Sequence, residues 1–159
     1  MTRILGIDPG LNITGWGIID QQGNRLSFIT AGQIKTDPKL PLAERLKTLH
    51  EGLSKVLTSY KPNEAAIEET FMNTNALSSL KLGHARGALM LSASIENVPL
   101  TEYATRLVKK SVVGVGKAEK EQVAAMVKMI LPGAKMESAD ASDALAVAIC
   151  HAHHRGAPR

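Results

Sequence analysis

The chain has 159 residues, 44% of them hydrophobic and only 3% aromatic, with a formal net charge of +4. That length supports one domain over residues 1–159 with a real, aliphatic core, and the basic balance permits an anionic partner. The lone Cys150 excludes an internal disulfide, no stretch approaches the ~20 apolar residues of a membrane span, and the N-terminal apolar run is too short for a signal peptide, so a cytoplasmic protein is expected.

The first predicted strand is Arg3-Ile4-Leu5-Gly6-Ile7-Asp8, stopped by Pro9-Gly10. Ile13–Asp20 reads as a second strand and Leu26–Ile34 as a third, with Gln21–Asn24 as the turn between them. Short connections predict an antiparallel meander. The glycines flanking Trp16 weaken the second strand, or else admit another backbone or a ligand. Leu42, Leu46, Leu49, Leu53, Val56 and Leu57 recur at helical spacing, and Lys61-Pro62 ends that helix. Glu64–Glu68 is a short strand, and Asn75 to about Glu96 a long helix with Gly83 and Gly87 one turn apart. Pro99–Tyr103 reads as a fifth strand, and Thr105–Gly116 is a basic segment of undefined structure. Amphipathic and apolar patterns predict helices over 118–131 and 139–153. The fold class is mixed α/β, a meander feeding a parallel part of the sheet, flanked by helices.

Two predicted strands end the same way, Ile7-Asp8 and Ile67-Glu68, each delivering an acid at its carboxyl end. Ligands collect at the carboxyl ends of strands in open α/β sheets, although an Asp-Pro-Gly turn or a strand mouth is the ordinary explanation. A third contribution is Ser138-Ala-Asp140-Ala-Ser-Asp143, whose two acids share a helix face. Complementing the helix dipole is the ordinary role of such acids. Together Asp8, Glu68, Asp140 and Asp143 form an oxygen-only set suited to Mg²⁺, with Mn²⁺ as a substitute. Two such ions, roughly 4 Å apart, serve phosphodiester hydrolysis. Which of Asp140 and Asp143 would bind metal directly is open.

Residues 101–120 carry Arg106, Lys109, Lys110, Lys117 and Lys120 against Glu102 and Glu119, and Lys81 and Arg86 lie on the long helix. Such bases can track a phosphate backbone or simply form a solvated face. Phe71, just after Glu68-Glu69, can stack on an unpaired base or fill a core. His151, His153 and His154 end the last helix, where the dipole favours a cationic His, and are not read as a metal cluster. No phosphate-loop motif and no Ser-His-Asp arrangement is found.

The runs Leu5-Gly-Ile-Asp-Pro-Gly10, Ala66-Ile-Glu68, Leu80-Lys-Leu-Gly83, Ala85-Arg-Gly87, Val112-Val-Gly-Val-Gly116, Ala118-Glu-Lys120 and Ala139-Asp-Ala-Ser-Asp-Ala-Leu145 resemble, in order, the bacterial Holliday-junction resolvases of the RuvC family. The resemblance spans Leu5 to about His151 and implies an RNase H-like fold with a five-stranded sheet. It implies a homodimer that nicks two opposing strands of a four-way DNA junction within a short T-rich sequence. The site residues it implies are Asp8, Glu68, Asp140 and Asp143 as metal-binding catalytic acids, Lys109 and Lys120 near DNA, and Phe71 against bases. The implied setting is recombination and repair, with a branch-migration helicase (RuvA and RuvB) as partner. Rival readings are another RNase H-like nuclease, an actin-like phosphotransfer lobe, and a junction binder without cleavage.

Overall fold

The computed structural model describes residues 1–69 and 75–156. Its elements run β1 (Thr2–Asp8), β2 (Ile13–Gln22), β3 (Arg25–Lys35), α1 (Leu42–Tyr60), β4 (Glu64–Glu69), α2 (Ala76–Ile95), β5 (Leu100–Ala104), α3 (Thr105–Val113), α4 (Lys120–Ile130) and α5 (Ala139–His154). The sheet order is β3-β2-β1-β4-β5. β1 pairs antiparallel with β2 and parallel with β4, and β4 pairs parallel with β5. The meander and the parallel part therefore meet at β1, which puts the carboxyl ends of β1 and β4 side by side. A parallel β4 needs a crossover, and α1 supplies it.

Strand alternation separates two cores. Leu5, Ile7, Ala65 and Ile67 point to one face and pack with Leu49, Leu53, Leu57, Ala85 and Leu89 of α1 and α2. Ile4, Ala66 and Tyr103 point to the other, against Val108, Val112, Val123, Val127 and the apolar side of α5. Asp8 and Glu68 fall, by the same alternation, on the α5 face.

α5 lies on this face almost without an intervening side-chain layer. A Cβ built on Gly6 would stand 2.1 Å from the Ala144 carbonyl oxygen, and one on Gly15 2.0 Å from that of Asp140. Of the glycines beside Trp16, Gly15 thus admits the backbone of α5 and Gly17 the Leu145 side chain, and their low strand propensity is offset by this close packing. The basic segment after β5 forms α3, ended by Gly114 in the left-handed region at φ 94°. α4 starts with a capping box in which the Glu119 N–H donates to Gln122 Oε1 at 2.8 Å. Among the described residues, no helix is long and apolar enough to cross a membrane.

Candidate active site

Asp8 ends β1 opposite Gly15 in the register, and Gly15 is where α5 touches the sheet at Asp140. The strand pairing and the glycine contact together bring the start of α5 to Asp8. One turn of α5 follows from the Ser138 N-cap, whose hydroxyl accepts from the Ala141 N–H at 3.1 Å, and carries Asp143 over the same opening. The turn after Asp8 is closed by the buried Thr14, whose hydroxyl donates to the Gly10 carbonyl at 2.7 Å. Arg45, itself buried, binds Thr36 Oγ1 at 3.0 Å and Asn12 Oδ1, and Thr36 donates to the Leu11 carbonyl at 2.6 Å. The loop leaving the first acid is therefore tied down at both ends.

Asp8, Glu68 and Asp143 line one cavity of about 230 Å³ together with Lys109, Lys120, Thr105, Val108, Val123 and Ala146. Burial, then the fields of Glu68 and Asp143, a hydrogen bond with Glu68 and the field of Asp140 push the Asp8 carboxyl up to about 9. Burial raises Asp143 to about 6; Lys120 and Lys109 oppose that rise, while Glu68 and Asp140 add to it. Asp140 does not line the cavity, yet its charge is felt by Asp8 and Asp143 inside it. Metal-free, burial first and the neighbouring acids after it keep a proton on Asp8. Among the described residues, no three or more His, Cys, Asp or Glu side chains stand in a group ready to hold a metal ion. A set of carboxylates short of positive charge fits a hard divalent cation, with no soft ligand in the cavity to favour another metal.

The expected DNA contacts divide. Lys109 on α3 and Lys120 at the first position of α4 line the cavity. Lys81 and Lys117 are exposed, on α2 and in the α3–α4 loop, outside that lining. The Arg86 guanidinium is engaged by Glu102 at 2.6 Å and by the Glu68 carbonyl at 3.3 Å. Phe71 lies outside the described residues. Thr105, which the sequence reading did not single out, lines the cavity and donates to the Glu69 carbonyl at 3.1 Å. Its hydroxyl, two residues past the predicted fifth strand, was the available signal.

His151 is buried rather than dipole-exposed. Its Nδ1 stands 2.8 Å from the Tyr103 hydroxyl and its Nε2 2.6 Å from Glu64 Oε2. Arg155 holds the same carboxylate in a two-pronged contact at 3.0 and 2.9 Å. This cluster joins the end of α5 to the start of β4, away from the acids.

A family model, Crossover junction endodeoxyribonuclease RuvC, matches residues 4–151. Relatives of that name are 58% identical over 97% of this chain and 93% of their own in Paramagnetospirillum magneticum, and 54% identical over 96% and 90% in Rhodospirillum rubrum. The structure of Thermus thermophilus RuvC in complex with a Holliday junction substrate superposes with a TM-score of 0.89 at 33% identity, covering 96% of this chain and 93% of that one. The yeast mitochondrial Holliday junction resolvase Ydc2 shares the fold, with a TM-score of 0.66 at 16% identity over 94% of this chain and 77% of its own. With the family model covering the sheet and every acid, and relatives more than half identical over nearly the whole chain, the chain belongs to the RuvC family of crossover junction endodeoxyribonucleases and has its RNase H-like fold.

Proposed function

We propose that this chain resolves four-way DNA junctions by paired, symmetric nicks, in homologous recombination and repair. The observation that carries the reading is the convergence of Asp8, Glu68 and Asp143 from three elements on one cavity, with Lys109 and Lys120 on its rim and Asp140 beside it. Asp8, Glu68, Asp140 and Asp143 would hold two divalent cations, Mg²⁺ or in its place Mn²⁺. When bound, such cations lower the charge barrier to attack on a phosphodiester and stabilise the leaving oxygen. The acids orient that charge, Lys109 and Lys120 meet the phosphates flanking the scissile one, and the Val108, Val123 and Ala146 wall limits access by bulk water. A water oxygen bonds to phosphorus as the 3′ oxygen leaves and takes up a proton, giving 5′-phosphate and 3′-hydroxyl ends. Phe71, Lys81 and Lys117 are read as further DNA contacts. Junction DNA, a second copy of this chain and a RuvA–RuvB branch-migration complex are the proposed partners, in the cytoplasm.

Two-fold symmetry gives the physical reason for a dimer, since the junction presents two equivalent strands. The candidate interface is the outer face of α2. Leu77, Leu80, Leu91 and Ile95 are each more than half exposed there, and a Cβ on Gly83 or Gly87 would meet nothing within 4 Å. A bulky residue at Gly87 that leaves a sedimenting dimer unchanged would remove this interface from consideration.

The test is incubation with a mobile synthetic junction, a linear duplex and an RNA–DNA hybrid in Mg²⁺, comparing wild type with Asp8→Asn, with and without chelator. Paired metal-dependent nicks on the junction, lost in Asp8→Asn while binding persists, are expected. Preferential cutting of the hybrid would move the protein to another branch of RNase H-like nucleases.

A further inference from the structure

Glu68 reaches the cavity from one face of the sheet, and its backbone is held from the other. β4 loses its β1 partner after Ile67, the last residue in that ladder, and only β5 accompanies it to Glu69. At that half-supported end, two side chains take up the last two carbonyls. Arg86 Nε donates to the Glu68 carbonyl at 3.3 Å, and Thr105 Oγ1 to that of Glu69 at 3.1 Å. Arg86 is set by its own helix, whose Ala85 and Leu89 pack into the core shared with Ile7 and Ile67. Its Nη2 is fixed by Glu102 of β5 at 2.6 Å, with the guanidinium side chain only 15% exposed. Glu102 alternates with Tyr103, which faces α5, so the pair lies on the α1–α2 side of the sheet.

We infer that Arg86 is a positioning residue for Glu68: locked to Glu102, it pins the end of β4 so that the Glu68 carboxylate stays in register with Asp8. The inference rests on the reading of Glu68 as one of the metal-holding acids, and it replaces a DNA contact as the role of Arg86. A guanidinium already shared between a carboxylate and a carbonyl has its planar fork committed, which Lys cannot reproduce with one point charge. It also couples α2 to the acid site, since the helix whose outer face carries the exposed leucines holds Glu68 with its inner face.

The experiment compares Arg86→Gln, Arg86→Lys, Glu102→Gln and the Arg86→Gln/Glu102→Gln double variant. Three quantities are read: the single-turnover rate at saturating junction in Mg²⁺, the junction Kd with its salt slope without divalent ion, and Mn²⁺ affinity of the DNA-free protein. Loss of an outer support costs about 10–100-fold in metal affinity or activity in metal sites. Arg86→Gln should therefore lower both the rate and Mn²⁺ affinity by about tenfold or more, with junction Kd held within about twofold. Glu102→Gln should do the same although it makes the surface more positive, Arg86→Lys should rescue only partly, and the double variant should be no worse than either single one. The inference is overturned if Arg86→Gln weakens junction binding and lowers the salt slope by about one while the saturated rate stays at wild type. It is equally overturned if Glu102→Gln binds Mn²⁺ and cleaves like wild type. Should Arg86→Gln fail to fold, Arg86→Lys and Glu102→Gln carry the same comparison. If no variant nor wild type cleaves junctions, the proposed function fails, and Mn²⁺ affinity alone decides the role of Arg86.

Discussion

Replacing Asp8 with Asn is expected to make the metal-free protein more stable while removing its activity. Burial and the neighbouring acids hold the Asp8 carboxyl protonated up to about pH 9, against 3.8 for an ordinary Asp. Its folded pKa is raised, so its favourable contribution is complete below 3.8 and is lost as pH climbs towards 9. At pH 7 the unfolded chain has an ionised Asp8, and folding must take up a proton. At about 1.4 kcal/mol per pH unit, the interval from 3.8 to 7 costs at most about 4 kcal/mol. Asn has the shape of the neutral acid and needs no proton. For a chain of this size, that limit corresponds to a rise in melting temperature on the order of 10 °C. Scanning calorimetry in chelator from pH 4 to pH 8.5 should show the two proteins alike at the acid end and diverging upward. Adding Mg²⁺ should raise the wild type and leave Asp8→Asn nearly unmoved, which narrows the gap. An Asp8→Asn protein that melts at or below wild type in chelator at pH 7, or a gap that ignores pH, would refute the argument.

Three further outcomes are expected. Gly15→Ala drives a Cβ to 2.0 Å from the Asp140 carbonyl oxygen, so it should cost about 3 kcal/mol or more and sharply reduce cleavage, measured by denaturant melts and junction nicking. Lys120→Met removes the largest opposing influence on Asp143, so in the metal-free protein that carboxyl should rise above about 6, as followed by side-chain carboxyl NMR titration in chelator. An unchanged or lower midpoint would exclude this role. Arg155 first, and His151 after it, hold Glu64 down to about 2, so its stabilisation is complete above 4.5 and lost as pH falls towards 2. Glu64→Gln should flatten acid unfolding in that window, by about 1–2 kcal/mol after allowance for solvent screening, as followed by circular dichroism.

Much of this was legible along the chain because it is local. An apolar run closed by Asp8-Pro9-Gly10 announces a strand ending in an acid, and β1 ends there at Asp8. The leucine spacing from Leu42 and the stop at Lys61-Pro62 delimit α1, whose Leu57 carbonyl accepts from the N–H of Lys61 in the left-handed conformation. Asn75 was the foreseen start of α2 and serves as its cap. Tertiary facts were not legible. α3 has the basic composition of an exposed segment, and its Val108 and Val112 become helical anchors only once α5 is behind them. The three histidines look alike in sequence, and only the fold buries His151 between Tyr103 and Glu64. Arg86 reads as one more surface base until β5 brings Glu102 to it. The glycines beside Trp16 leave weakness and close approach both open, and only the fold shows that α5 is what lies on them.

That contact between helix and sheet sets the gauge of the acid cluster. Where elements meet through interlocking side chains, their separation follows the size and rotamers of whatever fills the gap. α5 instead rests on bare main chain at Gly6 and Gly15, so the spacing from Asp8 to Asp140 is fixed by covalent geometry and atomic radii. The outer helices can exchange one aliphatic residue for another, at Val112 or Val127, which lie outside the cavity lining, and alter melting temperature without changing the bore between the acids. The protein thus separates two kinds of tolerance, a compliant shell that can be retuned and a rigid seat that cannot.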